Sequence, residues 1–153
     1  MNKVFILLPI AAAMAFLMKG DTVTKPRGIR NNNPGNIEFN PANQWRGQVG
    51  NDGRFAIFDK PENGIRALAR TLFNYNRFYG ISTVAGIINR YAPDSENNTA
   101  AYVDHVSSRL GVSPSDRLEL DSVMPELVAA IINHENGQQP YTREQIEAGI
   151  SLA

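Results

Sequence analysis

The chain of 153 residues has the length of one domain, and a chain of this size buries about two thirds of the surface that its unfolded form exposes. It carries 15 Lys plus Arg and 15 Asp plus Glu residues, so its net charge provides no general attraction to nucleic acid or anionic lipid. It has no cysteine, which excludes disulfide bonds, thiolate metal sites and a cysteine nucleophile. With two histidines and no cysteine, neither a metal site nor a cofactor is expected.

The first 20 residues differ in composition from the rest. Lys3 precedes an uncharged run over 4–18, and Lys19 follows it. A positive start and about 15 apolar residues fit an export signal and fall short of the roughly 20 residues that span a bilayer. We predict that residues 1–20 form a signal or an inner-membrane anchor, retained or cleaved, that places the domain on the periplasmic side; a helix buried in the domain is the alternative. Residues 21–27 are predicted to be a linker, and 28–153 the folded domain.

The remaining chain predicts a small lobe followed by helices. Between residues 31 and 58, glycines and prolines alternate with short apolar stretches, which favours turns and a β-hairpin. From Asp59 onward, the apolar residues recur with the helical period. The predicted helices run from a capping-box pattern at 59–62 to Gly80, from Thr83 to Pro93, from Asn98 or Thr99 to Gly111, from Ser122 to Gly137, and for a short stretch after Thr142. The predicted fold is α+β and mostly helical, with a β-hairpin lobe followed by about five helices.

The fourth predicted helix places a carboxylate on its apolar face. Its apolar stripe includes Leu127, Val128 and Ile131, and Glu135 is the next position on that stripe. A carboxyl group against apolar walls can hold a proton near neutrality, as a general acid for glycosidic cleavage must. The alternative is a solvated glutamate in the last turn before Gly137.

Amide and aromatic side chains in the predicted lobe are candidates for sugar binding. Asn32, Asn33 and Asn36 surround a tight turn, where they either bind sugar hydroxyl and acetamido groups or simply form the turn. Trp45 either stacks on a sugar ring or packs inside the lobe. The basic residues at 25–30 have no interleaved aromatic residues, so nucleic-acid binding is not predicted.

Three stretches resemble known families. Residues 31–75 resemble the β-lobe and following helix of bacterial N-acetylglucosaminidases of the flagellar and autolysin type, through Asn32-Asn33-Pro34-Gly35-Asn36-Ile37, Trp45-x-Gly47 and Phe55-x-x-Phe58-Asp59-x-Pro61-Glu62. Residues 129–140 are similar to the helix of soluble lytic transglycosylases that ends in the catalytic glutamate, here Glu135. The opening over 27–37 resembles small phage and prophage proteins, often virion proteins. In those enzymes the glutamate helix precedes the lobe, whereas here it follows it; a circular permutation would reconcile the two orders.

The resemblance implies a lysozyme-like domain that cleaves the β-1,4 glycosidic bonds of peptidoglycan, as a muramidase, glucosaminidase or lytic transglycosylase, in phage lysis or cell-wall penetration. It implies Glu135 as the catalytic acid, with Glu38 and Glu62 as the next candidates. The predicted substrate-binding residues are Asn32, Asn33, Asn36, Trp45 and Tyr141.

A paired-carboxylate hydrolase needs a second acidic group, for which Glu38 and Asp52 are candidates, whereas a lytic transglycosylase uses one glutamate. Both mechanisms stay open at this stage. The expected protein is a monomer, with peptidoglycan as substrate and the inner membrane as a partner through residues 1–20. The alternative function is a non-catalytic virion or cell-wall-binding module.

Overall fold

The computed structural model describes residues 24–95 and 97–153, which form an α+β fold that is mostly helical. The elements are α1 (Arg27–Arg30), β1 (Gln48–Asn51), β2 (Ala56–Phe58), α2 (Pro61–Tyr79), α3 (Val84–Tyr91), α4 (Thr99–Leu110), α5 (Leu120–Asn136) and α6 (Arg143–Ser151). The predicted fold class, a small hairpin followed by five helices, is confirmed, and the four-residue α1 precedes the hairpin.

The predicted signal or anchor over 1–20 lies outside the described residues, as do residues 21–23 of the predicted linker over 21–27. The last residue of that linker, Arg27, instead begins α1. Among the described residues, no helix is both long enough and apolar enough to cross a membrane.

Local capping fixes most helix ends where the sequence predicts them. The side chains of Thr83, Asn98 and Thr142 each accept a hydrogen bond from a backbone N–H in the first turn of the helix that follows. These bonds satisfy amides that have no partner within the helix. Gly80 and Gly111 end α2 and α4 in the left-handed conformation that glycine adopts without steric cost.

Two helix starts differ from the prediction. The capping box expected at 59–62 is wrong, because Lys60 is the N-cap of α2 and makes no side-chain capping bond. The carboxylate of Asp59 instead accepts a hydrogen bond of 2.7 Å from the side chain of Asn63. Helix α5 begins at Leu120, two residues before the predicted Ser122.

Helix α5 crosses the main core. Leu127, Val128 and Ile131 are fully buried, which confirms the predicted apolar stripe. Helix α5 packs against α2, α4 and α6, and α2 also packs along α6. Each fully buried aliphatic side chain contributes about 1.5–3 kcal/mol, so this core holds α4 and α5 in a fixed register.

The hairpin lobe has a second, smaller core. Strands β1 and β2 are antiparallel, with an irregularity between Gln48 and Gly50. Ala56 and Phe58 of β2, together with Ile37, pack against Ala67 of α2. The lobe therefore rests on one face of α2.

The turn at 31–36 joins the lobe to the helices. Asn136 Nδ2, at the end of α5, donates a hydrogen bond of 2.8 Å to the Pro34 carbonyl, and the Tyr91 hydroxyl donates to the Gly35 carbonyl. A Cβ atom at Gly64 would lie 1.9 Å from the Asn32 carbonyl oxygen, so only glycine permits this turn to lie directly on α2. The space left between the lobe and the helices forms a groove.

Candidate active site

The groove between the lobe and the helices has a volume of about 700 Å³. Its walls come from the turn and lobe, from α2 and α3, from the connection between α3 and α4, and from the end of α5. The residues used below that line it are Asn36, Glu38, Arg54, Tyr75, Arg90, Tyr91 and Glu135. The groove thus contains two of the three predicted catalytic candidates and one of the five predicted binding residues.

Both carboxyl oxygens of Glu135 accept a hydrogen bond. Asn36 Nδ2 donates to Oε2 over 2.9 Å, and the Tyr102 hydroxyl donates to Oε1 over 2.8 Å. The expected setting of apolar walls is therefore wrong for the carboxyl group itself, although the helix stripe below it is apolar. A carboxylate has about four acceptor positions, so two bonds fix its orientation and leave capacity for a ligand in the groove.

Two tyrosines near Glu135, the buried Tyr102 and the half-buried Tyr91, act as hydrogen-bond donors. Burial raises the pKa of the Tyr102 hydroxyl well above its usual range, and the negative charge of Glu135 raises it further. Burial and the charge of Glu135 also raise the pKa of Tyr91. Both phenols therefore remain protonated at any pH where the protein works, and neither is a candidate general base. The sequence of α4 gives no indication of the contact between Tyr102 and Glu135, because it depends on how α4 packs against α5.

A histidine pair supports Tyr102. The ring of His134 stacks on that of Tyr102, with 3.6 Å between the centroids and 12° between the planes. His134 Nδ1 lies 2.9 Å from His105 Nδ1, at hydrogen-bonding distance. Burial lowers the pKa of His134, and the neighbouring His105 lowers it further. The neutral form of His134 is therefore favoured in the folded protein.

The two candidates for a second carboxylate lie in different surroundings. Glu38 lines the groove and forms an ion pair of 2.9 Å with Arg54. Asp52 does not line the groove and is bound by the guanidinium of Arg27, with contacts of 2.5 and 2.8 Å, and by Asn31. The Arg27 bond and the backbone N–H of Phe55 hold the pKa of Asp52 well below its usual range. Asp52 thus ties α1 to the lobe, and among the described residues Glu38 is the second carboxylate that lines the groove.

The asparagines of the turn have separate tasks. Asn33 is fully buried, and its side chain bonds the backbone of Ile37 and Ala56, which holds the lobe together. Asn32 Nδ2 donates to the Phe58 carbonyl over 3.1 Å. Of the three predicted binding amides, only Asn36 reaches the groove.

The other predicted site residues lie outside the groove. Trp45 is half-buried and packs against the lobe core, which favours the packing role. Tyr141 lines a separate cavity of about 330 Å³ together with Asn32. Glu62 is close enough to Tyr141 for its charge to act on that tyrosine. Burial raises the pKa of Tyr141 to about 12, and the charge of Glu62 contributes to this increase. The structure therefore does not bring Glu62, Trp45 or Tyr141 to Glu135.

Gly28 of α1 lies directly behind the amides that border the site. A Cβ atom there would lie 2.5 Å from Asn136 Oδ1 and 2.8 Å from Asn36 Oδ1. The amide that donates to Glu135 is thus closely packed against the backbone of α1. Within residues 24–95 and 97–153, no group of three or more side chains is arranged to hold a metal ion.

Comparison with known proteins relates the chain to a bacteriophage protein. No protein-family model matches the chain. Over 154 aligned positions, the chain is 38% identical to Protein P5 of Pseudoalteromonas phage PM2, and the alignment covers 97% of this chain and 96% of that protein. At this identity and coverage, the chain belongs to the same bacteriophage protein family as Protein P5.

Proposed function

We propose that the protein is a lysozyme-like enzyme that cleaves the β-1,4 glycosidic bonds of peptidoglycan glycan strands, with Glu135 as the general acid. The observation that carries this proposal is the position of Glu135 in the groove, with its carboxyl group oriented by Asn36 and Tyr102. A general acid must be held at hydrogen-bonding distance from the bridging oxygen that it protonates. Two fixed donors restrict the carboxyl group to one orientation before substrate arrives.

The groove supports either of two mechanisms. In hydrolysis, Glu38 would act as the second carboxylate, since it faces the same groove. In intramolecular transfer, Glu135 would first protonate the bridging oxygen and then accept the proton of the muramic 6-hydroxyl group as that hydroxyl attacks the sugar carbon. Hydrolysis leaves reducing ends and transfer leaves anhydro-muramic ends, so mass spectrometry of the muropeptides distinguishes them.

The setting that we propose is a bacteriophage enzyme of lysis or cell-wall penetration. The family relationship with a phage protein supports the phage setting. Export through residues 1–20, as signal or membrane anchor, would place the domain on the periplasmic side of the inner membrane, next to the glycan strands. Association with the virion is a second possible location for the same activity.

Glu135→Gln is the decisive variant. Glutamine keeps the shape of the side chain and cannot deliver a proton, so cleavage of purified sacculi should fall by about 10²–10⁴-fold, the usual contribution of general acid–base catalysis. Glu62→Gln is the matched control, because Glu62 lies outside the groove, and it should retain activity. Equal activity of both variants with wild type would refute the role of Glu135. Binding to sacculi without any cleavage by wild type would instead support the non-catalytic wall-binding module.

A further inference from the structure

Arg90 forms a distinct feature of the groove wall. It lies in the last turn of α3, and its guanidinium carbon is 3.7 Å from the ring centroid of Tyr79 and 5.2 Å from that of Tyr75. Arg90 and Tyr75 both line the groove, and Tyr79 beside them is 60% exposed. The three side chains form a cationic and aromatic surface that is continuous with the groove.

The charge of Arg90 is not neutralised within the described part of the chain. No ion pair joins Arg90 to a carboxylate there, whereas Arg54 on the lobe side pairs with Glu38. Stacking on aromatic rings uses the face of a guanidinium and leaves the N–H groups in its plane free to donate. A planar guanidinium held in this way is suited to bind a carboxylate with two parallel hydrogen bonds.

We infer that Arg90, flanked by Tyr75 and Tyr79, binds a carboxylate carried by the substituent of a muramyl residue. This inference rests on the proposed function and specifies its substrate. The sugar rings of a glycan strand are uncharged, so the anionic groups are the carboxylates of the stem peptide or, on a muramyl residue without a peptide, the lactyl carboxylate. Glycan strands without these charges should be poor substrates, and Arg90 is the residue that makes the distinction.

The test compares three forms of the same strands: with stem peptides, with the peptides removed by hydrolysis of the lactyl amide bond, which exposes the lactyl carboxylate, and with the carboxylates converted to neutral amides. Wild type should cleave the neutral strands with a kcat/KM about tenfold lower than the charged strands, which corresponds to about 1.4 kcal/mol. The kcat/KM of Arg90→Gln should be about tenfold lower than that of wild type on charged strands and equal to that of wild type on neutral strands. Arg90 dependence on the peptide-bearing strands assigns the carboxylates of the peptide, and dependence confined to the peptide-free strands assigns the lactyl carboxylate.

Arg109→Gln is the matched control, because Arg109 is an exposed arginine in the last turn of α4 and does not line the groove. Equal cleavage of charged and neutral strands by wild type, or an equal loss on both with Arg90→Gln, would overturn the inference. A binding measurement with Glu135→Gln separates this failure from a failure of the proposed function, since it needs no cleavage. Binding of charged strands that is independent of Arg90 would refute the inference, and Arg90-dependent binding without wild-type cleavage would refute only the catalysis.

Discussion

Tyr102→Phe removes the hydroxyl group that donates to Glu135 Oε1 over 2.8 Å and leaves the ring, which is 1% exposed, in place. Hydrogen bonds contribute about 0.5–1.5 kcal/mol with neutral partners and about 1.5–3 kcal/mol with charged ones. We expect the free energy of unfolding to fall by about 1.5 kcal/mol, the value at which the two ranges meet, because Glu135 faces the groove and water can replace part of the bond. For a protein of this size, that loss lowers the melting temperature by about 3–6 °C.

The same substitution should reduce cleavage of sacculi by about tenfold, because the carboxyl group loses one of the two donors that orient it. A double-mutant cycle tests the physical cause: in a Glu135→Gln background, Tyr102→Phe should change the free energy of unfolding by a different amount, with a coupling of at least about 0.5 kcal/mol. Tyr91→Phe is the control for loss of a buried hydroxyl group that bonds a backbone carbonyl instead. The orienting role of Tyr102 would be refuted if Tyr102→Phe and Glu135→Gln had additive effects on the free energy of unfolding and Tyr102→Phe left the activity unchanged.

Three further predictions concern the lobe, the histidine pair and the N-terminal segment. Trp45→Ala should lower the free energy of unfolding by up to about 3 kcal/mol and leave strand binding unchanged, because Trp45 packs on the lobe core; weaker binding at full stability would assign it to sugar stacking. The pKa of His134 is lower in the folded protein than in the unfolded chain, where it is about 6.5. The stability is therefore fully present above about pH 6.5 and should fall as the pH drops from there through the lower folded-state value. His134→Phe keeps an aromatic ring beside Tyr102 and should flatten the pH dependence of stability below about pH 6.5, and an unchanged slope there would contradict this. Deletion of residues 1–20 should give a folded protein that no longer associates with membranes and still cleaves strands, and loss of its thermal transition would show that this segment belongs to the core.

The helices could be predicted from the sequence because their signals are local. Thr83, Asn98 and Thr142 cap the helices that they immediately precede, and glycine ends α2 and α4. Asp59 shows where local reasoning fails. It has the spacing of a capping box, yet its carboxylate binds the side chain of Asn63, and the helix start moves to the next residue.

The site was only partly predictable, because its contacts join distant parts of the chain. The position of Glu135 in the groove could be predicted, since the periodicity of α5 places it next on the apolar stripe. Its partner Tyr102 has the same periodicity as any core residue, and nothing in the sequence of α4 indicates that its hydroxyl group reaches a carboxylate on α5. The three candidate asparagines of the turn, Asn32, Asn33 and Asn36, look equivalent in sequence. The backbone directs Asn33 into the lobe and Asn36 toward Glu135.

The turn at 31–36 makes the docking of the lobe and the geometry of the candidate acid interdependent. Asn36 donates to Glu135 across 99 positions of sequence. The carbonyls just before it accept from Asn136 and Tyr91, which belong to α5 and α3. A shift of the lobe relative to the helices would therefore break these anchoring bonds and, at the same time, move Asn36, one of the two donors to Glu135, away from the carboxyl group. All of these bonds join elements that are packed against each other and distant in sequence. The site therefore does not depend on whether the lobe precedes or follows α5 in the chain. A circularly permuted arrangement has to meet this condition.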